Sequence, residues 1–287
     1  MSAERVRPDR LVADGFSFLE GPRWRDGFLY CSDMGHDRVV RVDLSTGRSE
    51  TVCDVPDGAS GLGWLPDGRL LVVVPRARKL VRLERDGTLV LHADLSSLAP
   101  SWCNDMVVDD AGRAYVGNFG FDLFSGEAMK PTCLIGVEPD GRTRIVAEGL
   151  VFPNGAVITE DRRRLVVAET WAHRLTRYEI RPDGSLSPGR LFADLVDGDP
   201  DGIAIDAEGA VWAACFGQNE FRRVHEGGRV SAVVEVGDEH AVACALGGED
   251  RRTLLLLCAK DVDKLAKGGA RSWLRSLRVD VPGAGIP

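Results

Sequence analysis

The sequence predicts an all-β chain folded as a six-bladed β-propeller, each blade a four-stranded antiparallel sheet set around a central channel. Three observations lead there. Short apolar runs bounded by Asp-Gly, Pro-Asp-Gly and Gly-Gly recur along the chain, the punctuation of hairpins, while long helical periodicity is hard to find. The runs have a period: anchored at Leu29, Leu70, Ala114, Leu165, Val211 and Leu254, they are spaced by 41, 44, 51, 46 and 43 residues. Most are followed by a second run in which apolar and polar residues alternate, as half-buried antiparallel strands require. A period of about 40 to 50 residues carrying four strands is a propeller blade, and six of them fill the 287 residues.

The blades follow in order. The first carries Phe28-Leu-Tyr-Cys-Ser and Arg38-Val-Val-Arg-Val-Asp; the second, Leu70-Leu-Val-Val-Val and Lys79-Leu-Val-Arg-Leu-Glu; the third, Ala114-Tyr-Val-Gly-Asn and Leu134-Ile-Gly-Val-Glu. The fourth carries Leu165-Val-Val-Ala-Glu and Arg174-Leu-Thr-Arg-Tyr-Glu; the fifth, Val211-Trp-Ala-Ala-Cys and Phe221-Arg-Arg-Val-His; the sixth, Leu254-Leu-Leu-Leu-Cys and Leu274-Arg-Ser-Leu-Arg-Val. A closed ring leaves no free first strand, so Asp9 to Val12, with Phe16 to Phe18, is expected to reach back to the last blade. With no Pro- or Ser-rich linker, residues 1–287 are expected to form one domain.

Composition narrows the partners. A net charge of −8 without a Lys/Arg cluster disfavours a nucleic-acid groove and favours a small-molecule partner. No run approaches the roughly 20 apolar residues of a membrane helix. The seven cysteines are odd in number and lack a Cys-x-x-Cys pair, which argues against a disulfide framework or a zinc-thiolate site. Met1 to Asp9 has no apolar signal stretch, so the cytoplasm is the expected location.

In a propeller, residues at one phase of the repeat converge around the axis. About ten positions before each anchor stand Glu20, Ser60, Asn104, Asn154, Asp201 and Cys244, four of them strong oxygen ligands. Two carboxylates held together in a partly dry pocket repel, and a divalent cation is the common way to neutralise them. One divalent cation is therefore expected, Ca²⁺, Mg²⁺ or Mn²⁺ by the hardness of the oxygen set, with Zn²⁺ and Fe²⁺ also accepting carboxylates. Asn104 could bind metal or substrate. A second ring is expected four residues after the anchors, at Asp33, Asn118, Glu169 and Cys215, with structural ion pairs as the main role and Asn118 a candidate substrate contact. Trp102 and Asp122 flank the Asn104 repeat as candidate pocket residues, and His240 is the histidine nearest the expected mouth.

Other chemistries lack their motifs. Gly58-Ala-Ser60-Gly-Leu62 fails as a Gly-x-Ser-x-Gly elbow, the five histidines show no His-Glu-x-x-His spacing, and no Gly-x-Gly-x-x-Gly opens a helix.

Leu19-Glu-Gly-Pro-Arg-Trp, Asn104-Asp, Phe152-Pro-Asn-Gly, the stretch Asp201-Gly-Ile-Ala-Ile-Asp-Ala-Glu-Gly-Ala-Val-Trp-Ala-Ala-Cys and Cys244-Ala-Leu-Gly-Gly resemble the senescence-marker-protein/gluconolactonase family, which includes regucalcin. The likeness runs over nearly the whole chain. It implies a six-bladed propeller with one divalent metal in the channel and, in most characterised members, hydrolysis of sugar lactones. By matching motifs it implies Glu20, Asn154 and Asp201 as metal ligands, Asp201 also as catalytic base, and Asn104 on metal or substrate. Where regucalcin-like members carry an arginine, two residues before the Asn of the Asn-Asp pair, this chain has Trp102, which suggests a less polar or larger lactone than an aldonolactone. A non-catalytic metal-binding or protein-interaction propeller and a strictosidine-synthase-like enzyme are the alternatives.

Overall fold

The computed structural model, which describes residues 3–287, is a six-bladed β-propeller. Its innermost strands are Leu19–Arg25, Leu62–Trp64, Cys103–Val108, Pro153–Ile158, Pro200–Ile205 and His240–Gly247, here blades I to VI. Blades I to V each run from the innermost strand outward in chain order.

Blade VI is assembled from both ends of the chain. Its outermost strand is Arg10–Phe16, antiparallel to Arg271–Arg278 with Arg10 opposite Ser276 and Phe16 opposite Ser272. Ahead of it, Glu4–Val6 adds a parallel fifth strand to blade V along Val230–Glu235. A second tie lies at the C-terminus, where the sequence showed only a Pro/Gly tail. Gly283 N donates to Arg251 O at 2.8 Å, Ala284 N to Ile205 O at 3.0 Å, and Ile286 N to Ile158 O at 2.8 Å. The tail thus straps blades IV, V and VI where their inner strands end.

The apolar core is divided among the joints between blades. Each of six buried clusters lies between two neighbours; Leu29 and Val40 of blade I, for example, pack with Leu255 and Leu257 of blade VI. Apolar burial of this kind, at about 25 cal/mol per Å², holds blade to blade and leaves the axis to polar residues.

Near the axis the inner strands come close enough to exclude side chains. A Cβ on Gly155 of blade IV would lie 2.6 Å from Asp201 O, 2.7 Å from Ile203 N and 2.8 Å from Gly202 Cα, all backbone of blade V. Such overpacking costs about 1–3 kcal/mol. Gly155→Ala is expected to lose that much stability in urea unfolding, because it drives the inner strand of blade IV away from that of blade V. An unchanged unfolding midpoint would contradict the close approach.

Candidate functional site

Residues of the sequence-derived set come to the axis through one local device. In five blades the innermost strand slips register against its neighbour near its start: between Glu20 and Arg23, Cys103 and Met106, Pro153 and Ala156, Pro200 and Ile203, and Ala241 and Ala243. A bulge bends the strand and re-aims its side chains. Glu20 borders the first of these bulges, and Asn104, Asn154 and Asp201 lie within the next three. Each site residue also follows one paired four positions past its anchor: Leu19 with Asp33, Cys103 with Asn118, Pro153 with Glu169, Pro200 with Cys215.

By the same rule Ala241 pairs with Cys258, so blade VI contributes Val242 at this phase and not Cys244. The hairpin between its first two strands is two residues longer than in blade V, since Leu246 pairs with Leu254 where Ile205 pairs with Val211. Cys244 Sγ faces the backbone between blades V and VI, 3.4 Å from Trp212 O.

Glu20, Asn104, Asn154 and Asp201 are all buried. Burial and the facing carboxylates Asp201 and Asp105 push the Glu20 carboxyl well above its ordinary range. Burial likewise pushes Asp201 up, with the Asn154 amide tempering the effect and Asp105 adding to it. The structure therefore brings Glu20, Asn154 and Asp201 together. Asn154 Nδ2 donates to Thr170 Oγ1 at 3.2 Å, and Thr170 Oγ1 donates to Pro200 O of blade V at 2.8 Å. Thr170 thus turns Asn154 so that its oxygen is left over.

That leftover oxygen tests whether a cation fits. Asn154 Oδ1 and Asp201 Oδ1 are buried acceptors without a hydrogen-bond partner, and such groups call for an explanation. Two carboxylates and an amide oxygen form a hard donor set suited to a divalent cation. Among the described residues no group of three or more His, Cys, Asp or Glu could hold a metal, so a site here depends on the asparagine. Asn104 contributes Nδ2, a buried donor without a partner, and Ser60 Oγ is likewise unmatched.

Two residues beside this set escaped the sequence reading. Arg23 Nη2 donates to Asp105 Oδ1 at 2.7 Å, both side chains being about 5% exposed, and Arg23 Nε donates to Leu62 O at 2.8 Å. This buried pair ties blades I, II and III below Glu20. Asp105 was visible as the partner of Asn104 in the Asn-Asp pair, but nothing in the spacing joined it to Arg23.

The second ring turns inward to the blades. Asp33 accepts from Ser17 N at 2.9 Å and from Arg38 Nη2 at 2.9 Å, and Glu169 accepts from Val151 N at 2.8 Å and Arg174 Nε at 2.9 Å. Asn118 is fully buried: Nδ2 donates to Cys133 O at 2.8 Å and Oδ1 accepts from Thr132 Oγ1 at 2.6 Å. Both polar ends are engaged within blade III, so Asn118 belongs with the structural groups and not with those free for a ligand. Asp122 organises its own loop by accepting from Phe124 N and Ser125 N at 3.1 Å each, and the His240 ring stacks on Phe216 at 4.4 Å. Trp102 sits at the mouth, its ring 4.4 Å from that of Phe124.

This geometry can be set beside known proteins. The sequence profile of the SMP-30/gluconolactonase/LRE-like region matches residues 18–260. The chain belongs to this family. Among its curated relatives is the pentonolactonase XacC of Haloferax volcanii, 29% identical over 97% of this chain and 96% of that protein. Another is the 6-deoxy-6-sulfogluconolactonase of Pseudomonas putida, 28% identical over 93% of each chain. The fold matches that of a calcium-binding protein, regucalcin, from Agrobacterium tumefaciens, with a TM-score of 0.79 at 22% identity over 98% of this chain and 99% of that one. Among the described residues no helix is long and apolar enough to cross a membrane.

Proposed function

We propose that this protein is a divalent-metal-dependent hydrolase that opens a lactone ring. The observation that carries the reading is the convergence of Glu20, Asn154 and Asp201, with acceptor oxygens of Asn154 and Asp201 buried and unpartnered. Lactonases about as long as this chain and 28–29% identical to it support the reaction class.

Glu20, Asn154 and Asp201 would hold the cation, which when bound supplies Lewis-acid polarisation of the lactone carbonyl and neutralises the paired carboxylates. Asp201 takes a proton from the attacking water, whose oxygen adds to the acyl carbon. The acyl–oxygen bond of the ring then breaks, and the leaving alkoxide receives the proton to give a hydroxy acid. Burial holds the Asp201 carboxyl above its ordinary range in the cation-free site; the charge of a bound cation would offset this and keep Asp201 ionised, in the form that can accept a proton. Asn104 Nδ2 is free to donate to a substrate oxygen. Thr170 keeps the Asn154 oxygen turned to the axis, and the Arg23–Asp105 pair fixes the wall beneath Glu20.

Chelator-stripped protein is expected to release no protons from a lactone panel and to regain turnover when a single divalent cation is added. Thermal melts give an independent reading. In stripped protein the raised carboxyls make the folded state bind more protons than the unfolded state. Its stability therefore falls as pH rises from the ordinary carboxylate range through the raised values. Cation binding displaces those protons, so the gain in Tm on adding cation is expected to be larger at about pH 8 than at about pH 5. Full turnover after stripping, or an equal gain at both pH values, would contradict the proposal.

A further inference from the structure

At the mouth, aromatic residues stand beside polar ones along blades III and IV. Trp102 stands two positions before Asn104, Phe119 follows Asn118, Phe152 stands two before Asn154, and Trp171 follows Thr170. Their rings form one chain: Trp102 with Phe124 at 4.4 Å, Phe119 with Phe152 at 4.4 Å, and Phe152 with Trp171 at 4.6 Å. Trp102 and Phe119 join the two halves, 6.1 Å apart and stacked, with Phe119 N donating to Trp102 O at 2.9 Å. Phe152, within the chain, is buried, whereas Phe124 at the outer end is 62% exposed. A large exposed phenyl packed at a tilt of 44° against a tryptophan at the mouth is not explained by core packing.

Phe124 and Trp102 face a cavity of about 610 Å³. Its other members come from the same end of the blades as the site: Gly58 two before Ser60, and Met34 immediately after Asp33. Its apolar lining is Trp102, Phe124 and Pro75 together with Met34, Val262 and Leu265, the last three from blades I and VI. An apolar lining drawn from several blades suits an apolar substituent better than a polyhydroxylated one, whose hydroxyls would each need a new partner on leaving water.

Charge points the same way. Arg76 over the Trp102 ring is already committed, donating to Asp37 Oδ1 at 2.9 Å and Asp57 O at 3.0 Å. The remaining charges of the cavity, Asp57 and Asp263, are negative and disfavour a phosphorylated or sulfonated substrate. Asn118, the amide nearest Phe119 in sequence, has both polar ends engaged. Where a polyol lay against the rings of Trp102, Phe119 and Phe124, its hydroxyls would give up water to a surface that offers them no hydrogen bond.

We infer that the cleft between Trp102–Phe124 and Met34–Leu265 binds an uncharged apolar substituent, alkyl or aryl, on the lactone ring, with Phe124 as a specificity-determining residue. The inference rests on the lactonase reading for the reacting end of the substrate and adds the class of the non-reacting end.

Three lactones test it with metal-loaded enzyme: δ-valerolactone, the same ring carrying a pentyl chain, and gluconolactone. The pentyl lactone is expected to exceed both others in kcat/KM by roughly tenfold or more. Phe124→Ala is expected to erase most of that advantage through KM, with kcat for the pentyl lactone much less affected. Binding of the corresponding unreactive lactams, followed by tryptophan fluorescence, separates the two readings. Preference for gluconolactone, or an advantage untouched by Phe124→Ala, would overturn the inference and leave the lactonase standing. No turnover of any lactone, together with tighter binding of the pentyl lactam than of its polyhydroxy counterpart, would overturn the proposed reaction and uphold the apolar cleft. Absence of both turnover and lactam binding would overturn both.

Discussion

Asp201→Asn is expected to lower lactonase kcat/KM by roughly a thousandfold or more, the scale of removing a positioned base, and to do so while making the stripped protein more stable. The substitution keeps the shape of the side chain and removes its charge. Activity falls because the water loses its proton acceptor and the cation loses one of its two carboxylates. Stability rises because a buried carboxylate facing Glu20 and Asp105 is unfavourable in the absence of a counter-charge. A gain of about 0.5–2 kcal/mol at mildly alkaline pH is in line with residues kept for function at the expense of stability. Activity assays and urea unfolding on one preparation measure the two effects. Loss of activity accompanied by loss of stability would instead mark Asp201 as a structural residue, and retained activity would remove it from the site.

Arg23→Met is expected to cost about 3–5 kcal/mol, because it leaves the Asp105 carboxylate buried without its partner. The guanidinium also donates to the carbonyls of Leu62, Pro22 and Met106, so three acceptors near the axis lose a donor with it. Asp105→Leu in the same chain removes the orphaned charge, and the double variant is expected to recover much of the loss. Denaturation midpoints of the wild type, both single variants and the double variant form the cycle that isolates the coupling. Additive losses would show that the pair contributes nothing beyond its separate side chains.

The blades were legible in the sequence because a propeller repeats one unit, and a repeat fixes phase without knowledge of contacts. The same phase found Glu20, Asn104, Asn154 and Asp201, each lying beside the residue that pairs four positions past its anchor. It missed in blade VI, where counting from Leu254 gave Cys244. Two added hairpin residues move the position to Val242, and a count along the chain does not register an insertion on the far side of a turn. Asn118 has the right phase, but whether its amide faces the channel or its own blade depends on Thr132 and Cys133 of the next strand. Arg23–Asp105 joins residues 82 positions apart through the axis, and a pairing of this kind has no signature in spacing. The aromatic wall belongs partly to a loop between strands of blade III, where the repeat exerts no constraint.

The double closure of the ring also sets the order in which the molecule can be made. Arg10–Phe16 leaves the ribosome before the six blades that follow it, yet the strand it pairs with is Arg271–Arg278, so this segment waits until all the intervening residues have been made. During that time Val12, Ala13 and Phe16, buried in the finished protein, remain on an unpaired strand. Blades I to V can form from local hairpins as they emerge, but the joint between blades VI and I and the strap over blades IV to VI depend on the last residues of the chain. Contacts between such distant parts of a sequence form slowly, and open strand edges are prone to aggregation. The pairing that closes the finished ring therefore places its vulnerability at birth, in the interval when Arg10–Phe16 has been made and Arg271–Arg278 has not.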